Sequence, residues 1–123
     1  MLSVKPIQDK NIQKDLCALC GIQYKEEYFC YGGYEDGVIT AVCQFYLNGV
    51  CGIIDDIAYA PGKDSKEMLI LIGKSALSFI DFCGIHKAIY VGKNTHFAEQ
   101  LGFKKDDKQN LTIDLKMHCC SEN

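Results

Sequence analysis

APGKDSKEMLILIGKSAL, residues Ala60 to Leu77, is where the chain changes its period, and that change decides the fold. The run before it, VCGIIDDIAYA, is extended and rich in β-formers. Beyond Pro61, the residues Met68, Leu69, Ile72, Ala76, Phe79, Ile80 and Cys83 recur at helical spacing. A helix is therefore expected from about Ser65 to Cys83, with Gly84 just past its end. A strand, a proline-containing loop and a helix in that order aim several backbone N–H groups at one point, a natural anion site. The turn nevertheless carries Asp64 and Glu67, and after Gly62 it has no glycine until Gly73. Asp64 as N-cap with Glu67 three residues on reads as a capping-box-like pair.

Working back from this unit, three β-rich runs precede it: YFCYGGY, VITAVCQFYL and VCGIIDDIAYA. Asp36–Gly37 separates the first two and Asn48–Gly49 the last two, both two-residue hairpin signals. They predict an antiparallel meander over about residues 28–59. Near the start, Leu2 to Ile7 alternates as a strand. Asp9 can cap a helix from about Lys10 to Cys20, with Ile12, Leu16, Leu19 and Cys20 on its apolar face and Gly21 ending it. After the long helix, Lys87 to Val91 reads as a short strand parallel to the end of the meander. A short helix over about Thr95 to Leu101 and a last strand in LTIDLKM complete the order, and the tail from Cys119 to Asn123 is expected to fray.

Length and composition set outer limits. The 123 residues suit one domain with a single core, spanning 1–123, and 48% hydrophobic with 24% charged residues is the balance of a globular chain. A net charge of −3 gives no basic excess, which argues against nucleic acid or an anionic membrane as partner. No stretch has the length of a signal peptide core or a membrane span, so a cytoplasmic location is expected. The eight cysteines then read as reduced thiols, mostly buried as small hydrophobes. Cys17 and Cys20 lack a second matching pair for zinc, apart from His118, Cys119 and Cys120 in the tail, so no metal site is expected.

The element order β-α-β-β-β-α-β-α-β resembles the GCN5-related N-acetyltransferase (GNAT) superfamily. Ile54 to Pro61, IDDIAYAP, is similar to that family's fourth strand, which runs into a proline before the cofactor loop. Ala98 to Phe103, AEQLGF, looks like the end of its C-terminal motif. The resemblance implies a mixed α/β (α+β) fold: a mostly antiparallel central sheet with helices on both faces. It implies acetyl-CoA or another acyl-CoA as donor, and direct acyl transfer to an amine. Ile57, Ala58 and Tyr59 would orient the acyl and pantetheine portion, and Lys63, Ser65, Lys66 and Met68 would line the diphosphate loop. Asp55 would serve as base and Tyr90 or His96 as acid, because Ala98 stands where many members carry the tyrosine that protonates the thiolate.

The same loop departs from the family's glycine-bearing pattern: Asp64 falls on the usual Arg/Gln, Glu67 on the middle glycine and Leu69 on the last small residue. Each departure improves the helix start and worsens a phosphate site. Two readings follow: an N-acyltransferase acting on a small-molecule amine, or a non-catalytic GNAT-like module that binds a protein partner or another ligand. Asp55 and Asp56 together read either as a source of a general base or as a solvated pair.

Overall fold

The computed structural model describes residues 1–116. Seven strands form one sheet in the order β1-β2-β3-β4-β5-β7-β6. They are β1 (Leu2–Pro6), β2 (Phe29–Glu35), β3 (Val38–Leu47), β4 (Gly52–Tyr59), β5 (Lys87–Tyr90), β6 (Lys104–Lys105) and β7 (Leu111–Asp114). Three helices accompany them among the described residues: α1 (Lys10–Cys20), α2 (Lys66–Phe82) and α3 (Thr95–Leu101). Every neighbouring pair is antiparallel except β4 and β5, which α2 connects. The expected mixed sheet is therefore present, and the meander and the parallel strand lie where the sequence puts them.

The helices divide between the two faces. α2 and α3 pack on one side over Ile54, Ile57, Phe45, Tyr90 and Phe103, and α2 buries Leu69, Ile72, Ala76 and Ile80 as its spacing predicts. α1 covers a smaller cluster on the other face, made by Cys17, Ile22, Cys30 and Val42. β3 runs between the layers, and its residues Thr40 to Phe45 are all at most 1% exposed. A strand buried on both faces reads as a continuous apolar run, which is how VITAVCQF reads.

Four details differ from the sequence expectations. The Asp36–Gly37 hairpin has its two-residue loop, with both residues at positive φ, but the Asn48–Gly49 turn opens to four residues between Leu47 and Gly52. The Asn48 side chain causes this by accepting the N–H groups of Val50 and Cys51 at 2.9 and 2.8 Å, a local alternative to the ladder. On α1 the buried residues are Gln13 and Cys17, while Ile12 and Leu19 are 47% and 45% exposed. Gln13 is buried because its amide is used twice, donating to Ile7 O at 2.6 Å and accepting from Lys10 Nζ at 3.3 Å.

The third difference is the cap of α2. Ser65, not Asp64, is the N-cap; its Oγ accepts the Met68 N–H at 3.2 Å, which places Glu67 one position earlier than a capping box requires. The fourth is at the C-terminal end, where β6 is a short strand that no periodicity signals and β7 stops at Asp114. Residues Cys119 to Asn123, and the metal ligands considered there, lie outside the described residues. Among the described residues no cluster suits a metal ion, and no helix is long and apolar enough to cross a membrane.

Candidate functional site

β4 and β5 are partners for only part of their length. The parallel register covers Gly52, Ile53 and Ile54 against Ala88, Ile89 and Tyr90. The last bond between them runs from Val91 N–H to Ile54 O at 3.0 Å. β4 then continues to Tyr59, paired on its β3 side alone as far as Ala41, while the chain after Tyr90 turns away into α3. The two strands so diverge into an opening, walled on one side by residues 55 to 59. Strand backbone without a ladder partner is a place where an extended ligand can add its own hydrogen bonds.

A bulge stands at the head of the opening. The β3–β4 register shifts between Gln44 and Phe45, pairing Gln44 with Asp56 and Phe45 with Ile54, so that Asp55 is the inserted residue. Because of that insertion, Ile54 and Ile57 both join the large cluster although they are three residues apart. The two aspartates are re-aimed as well. Asp55 turns toward α1: its Oδ1 accepts from Lys25 Nζ at 2.7 Å and its Oδ2 from Gln44 Nε2 at 3.0 Å.

Asp56 turns the other way, to the lip of the opening. Its Oδ1 accepts the N–H of Ile57 at 2.9 Å, and the backbone N–H of Lys93 also reaches the carboxylate. Burial pushes its pKa up from the ordinary carboxylate value, and the Asp55 charge adds to the shift against those backbone donors. Tyr90 lies beside it, 4% exposed, its hydroxyl accepting from Asn94 N–H at 3.2 Å. Burial pushes this phenol up to about 12. Gly92 separates the two groups: a Cβ there would stand 2.5 Å from Tyr90 Oη and 3.0 Å from Asp56 Oδ1, so only glycine permits the approach.

The far end of the opening leads to the loop before α2. Ala60, Pro61, Gly62 and Lys63 form a turn closed by Lys63 N–H to Ala60 O at 3.0 Å, with Gly62 at φ 76° as a type II turn needs. Ser65 then caps α2, and the Tyr59 hydroxyl meets the Asp64 side chain and the Ser65 backbone N–H. Lys63, Lys66, Asp64 and Glu67 are exposed around this turn and balance in charge. Met68, expected to line the loop, has no exposed surface; its thioether packs against Gly33 and its N–H belongs to Ser65. Ile57 is buried, with its N–H held by Asp56, and Ala58 and Tyr59 are half-buried. His96 is exposed on α3, where its Nε2 faces Gln100 Nε2 at 3.3 Å.

Solved structures of acetyltransferases superpose on this fold. A GNAT-family acetyltransferase from Elizabethkingia anophelis with acetyl-CoA bound superposes at a TM-score of 0.72, with 14% identity over 93% of this chain and 98% of that one. The chain has the GNAT fold. The IAA acetyltransferase from Bacillus cereus gives a TM-score of 0.72 at 17% identity, covering 87% of this chain and 79% of that one. An N-acetyltransferase from Staphylococcus aureus gives 0.68 at 14% identity, covering 94% and 98%. No protein-family model and no curated protein matches the sequence. Within the GNAT fold, the sequence reading names Asp55 and Asp56 together and assigns the base to Asp55; it carries no signal for Gly92, Lys25 or Gln44 beside the opening. Adjacent strand residues already point to opposite faces; what the sequence does not show is the bulge at Asp55, and with it that Asp56 is the one at the opening.

Proposed function

We propose that this protein is an acyl-CoA-dependent N-acyltransferase that transfers an acyl group directly to a small-molecule amine. The observation that carries this reading is the opening between β4 and β5, with the Asp56 carboxylate and the Tyr90 hydroxyl at its head. An acyl-CoA arm laid along β4 meets the backbone between Ile57 and Tyr59, as an added strand would, with the Ile57 N–H already held by Asp56. The acceptor amine, once neutral, attacks the thioester carbonyl and the carbon–sulfur bond breaks. Asp56, raised above the usual carboxylate range, takes the amine proton. Tyr90 gives its proton to the departing thiolate and is reprotonated from Asp56 or water. His96 is the weaker choice of acid, because its ring lies against Gln100 on its own helix.

The diphosphate end fits less well than the arm. Lys63 and Lys66 offer charge, but Asp64 and Glu67 cancel it, and Ser65 Oγ already holds the Met68 N–H. The donor is accordingly bound chiefly through its pantetheine portion. That self-satisfied helix start is also the observation that favours a second reading, a non-catalytic module that has kept the scaffold. Calorimetric titration with acetyl-CoA and free CoA separates the two. Saturable binding of both ligands below on the order of 1 mM supports the enzyme, and no heat at that concentration overturns it. The reduced-thiol composition supports a cytoplasmic setting for either reading.

A further inference from the structure

The side of the sheet that faces α1 carries a second arrangement beside the opening. Gln44 has no exposed surface, yet its whole amide is used. Nε2 donates to Gln23 O at 2.8 Å and to Asp55 Oδ2 at 3.0 Å. Oε1 accepts from Lys25 N–H at 2.9 Å and faces Cys17 Sγ at 3.8 Å. One buried side chain thus fixes both a carboxylate and the connection between α1 and β2. The second Asp55 oxygen meets Lys25 Nζ at 2.7 Å, and that ammonium stands 5.1 Å from the ring centroid of Tyr28. Tyr28 in turn stacks on Tyr46 at 4.9 Å.

An exposed ion pair by itself carries little. Here the Asp55 side chain is only 13% exposed, and a buried amide sets its direction. A preorientated carboxylate beside an aromatic face recognises an alkylammonium by charge and by cation–π attraction. The position matters as much as the chemistry. Asp55 is the bulge residue and Asp56 follows it in β4; the two carboxylates leave the strand in opposite directions, so an amine held by Asp55 on the α1 side is one residue along the strand from the head of the opening.

We propose that Asp55, Gln44 and Tyr28 form the acceptor subsite, that the acceptor is a primary amine on an unbranched alkyl chain, and that Lys25 fills this subsite from within the chain until the acceptor displaces it. The role as acceptor subsite rests on the acyltransferase reading; the binding of an alkylammonium does not. The tethered Lys25 competes at a high effective concentration, so a free amine binds the intact protein weakly. Removing the tethered cation exposes the site.

The test is an NMR titration of n-butylammonium into the parent, Lys25→Ala, and Lys25→Ala with Asp55→Asn. Lys25→Ala is expected to bind at least about tenfold more tightly than the parent, with shifts at Tyr28 and the Gln44 amide, and the double variant is expected to lose that gain. n-Butanol, which has the same chain and no charge, is expected to show no gain. Equal affinity in parent and Lys25→Ala, or a gain that survives Asp55→Asn, overturns the proposal. Lys25→Ser provides the same comparison if the alanine variant does not fold. CoA titrated into the same samples reports on the acyltransferase reading separately. Butylammonium binding as expected without CoA binding removes that reading and leaves an ammonium site. CoA binding without the butylammonium gain leaves the reading and removes the subsite.

Discussion

Two neighbouring carboxylates at one bulge do different work because their surroundings differ. Asp55 has a cation and an amide for partners, whereas Asp56 has backbone N–H groups and a desolvated pocket edge that raises its pKa. A raised carboxylate pKa has a definite sign in both stability and rate. The neutral form suits the folded state, so the contribution of Asp56 is fully present below its unfolded pKa and is lost as pH rises through its folded value. Asp56→Asn should therefore flatten the stability profile where pH climbs through and just above the ordinary carboxylate range, measured by urea midpoints across pH. As base, Asp56 should place the acid limb of kcat/KM above the ordinary carboxylate pKa, and Asp56→Asn should remove that limb and lower the rate by about 10²-fold or more. An acid limb unchanged in the variant would move the role elsewhere. Gly92 gives a second test at this scale. Gly92→Ala drives a methyl group against Tyr90 Oη and Asp56 Oδ1, and should cost about 1–3 kcal/mol in denaturant midpoint.

At the scale of an element, α2 shows how a helix start can be legible while its chemistry is not. The period from Met68 to Ile80 located the helix, because seven buried positions on one face leave no other geometry. The cap was harder: Asp64 and Ser65 are both good N-cap residues, and Ser65 takes the role, its Oγ accepting the Met68 N–H while the Asp64 side chain meets the Tyr59 hydroxyl. Ser65→Ala should cost about 1 kcal/mol, and Asp64→Asn less than about 0.5 kcal/mol, in the same unfolding experiment. The reverse ranking would return the cap to Asp64. Asp64→Gln with Glu67→Gly removes two negative charges from the turn and keeps the cap. It should lower stability by on the order of 1 kcal/mol through the helical glycine, and should raise affinity for CoA by calorimetry. The Asn48 turn and β6 were beyond the sequence for a related reason. Side-chain bonds to the backbone decide the first, and pairing with β7 alone creates the second.

Across the whole molecule the two faces of the sheet are unequal. Among the described residues, twenty buried residues make the cluster that α2 and α3 share with the sheet, and four make the cluster on the α1 side. β3 is buried on both sides, yet the layer on its α1 side is thin. The connection from α1 to β2, which carries Lys25, lies over the thin layer and is tied down mainly through Gln44. Segments that must admit a ligand belong to the least stable part of a fold. The cysteines report on this directly. Cys83 is exposed, Cys17 and Cys30 are buried under α1, and Cys43 is buried on the opposite side. Burial pushes the thiol of Cys20 up to about 11 and that of Cys43 above the ordinary thiol range, which slows reaction in the folded state. Alkylation of the native protein, followed by peptide mass mapping, should label Cys83 first among the cysteines of the described residues. Cys17 and Cys30 should follow through opening of the α1 layer, and Cys43 should react only with global unfolding. If Cys17 and Cys43 react at one common rate, the layers open together, and an acceptor could reach Asp55 only by displacing Lys25 from a closed surface.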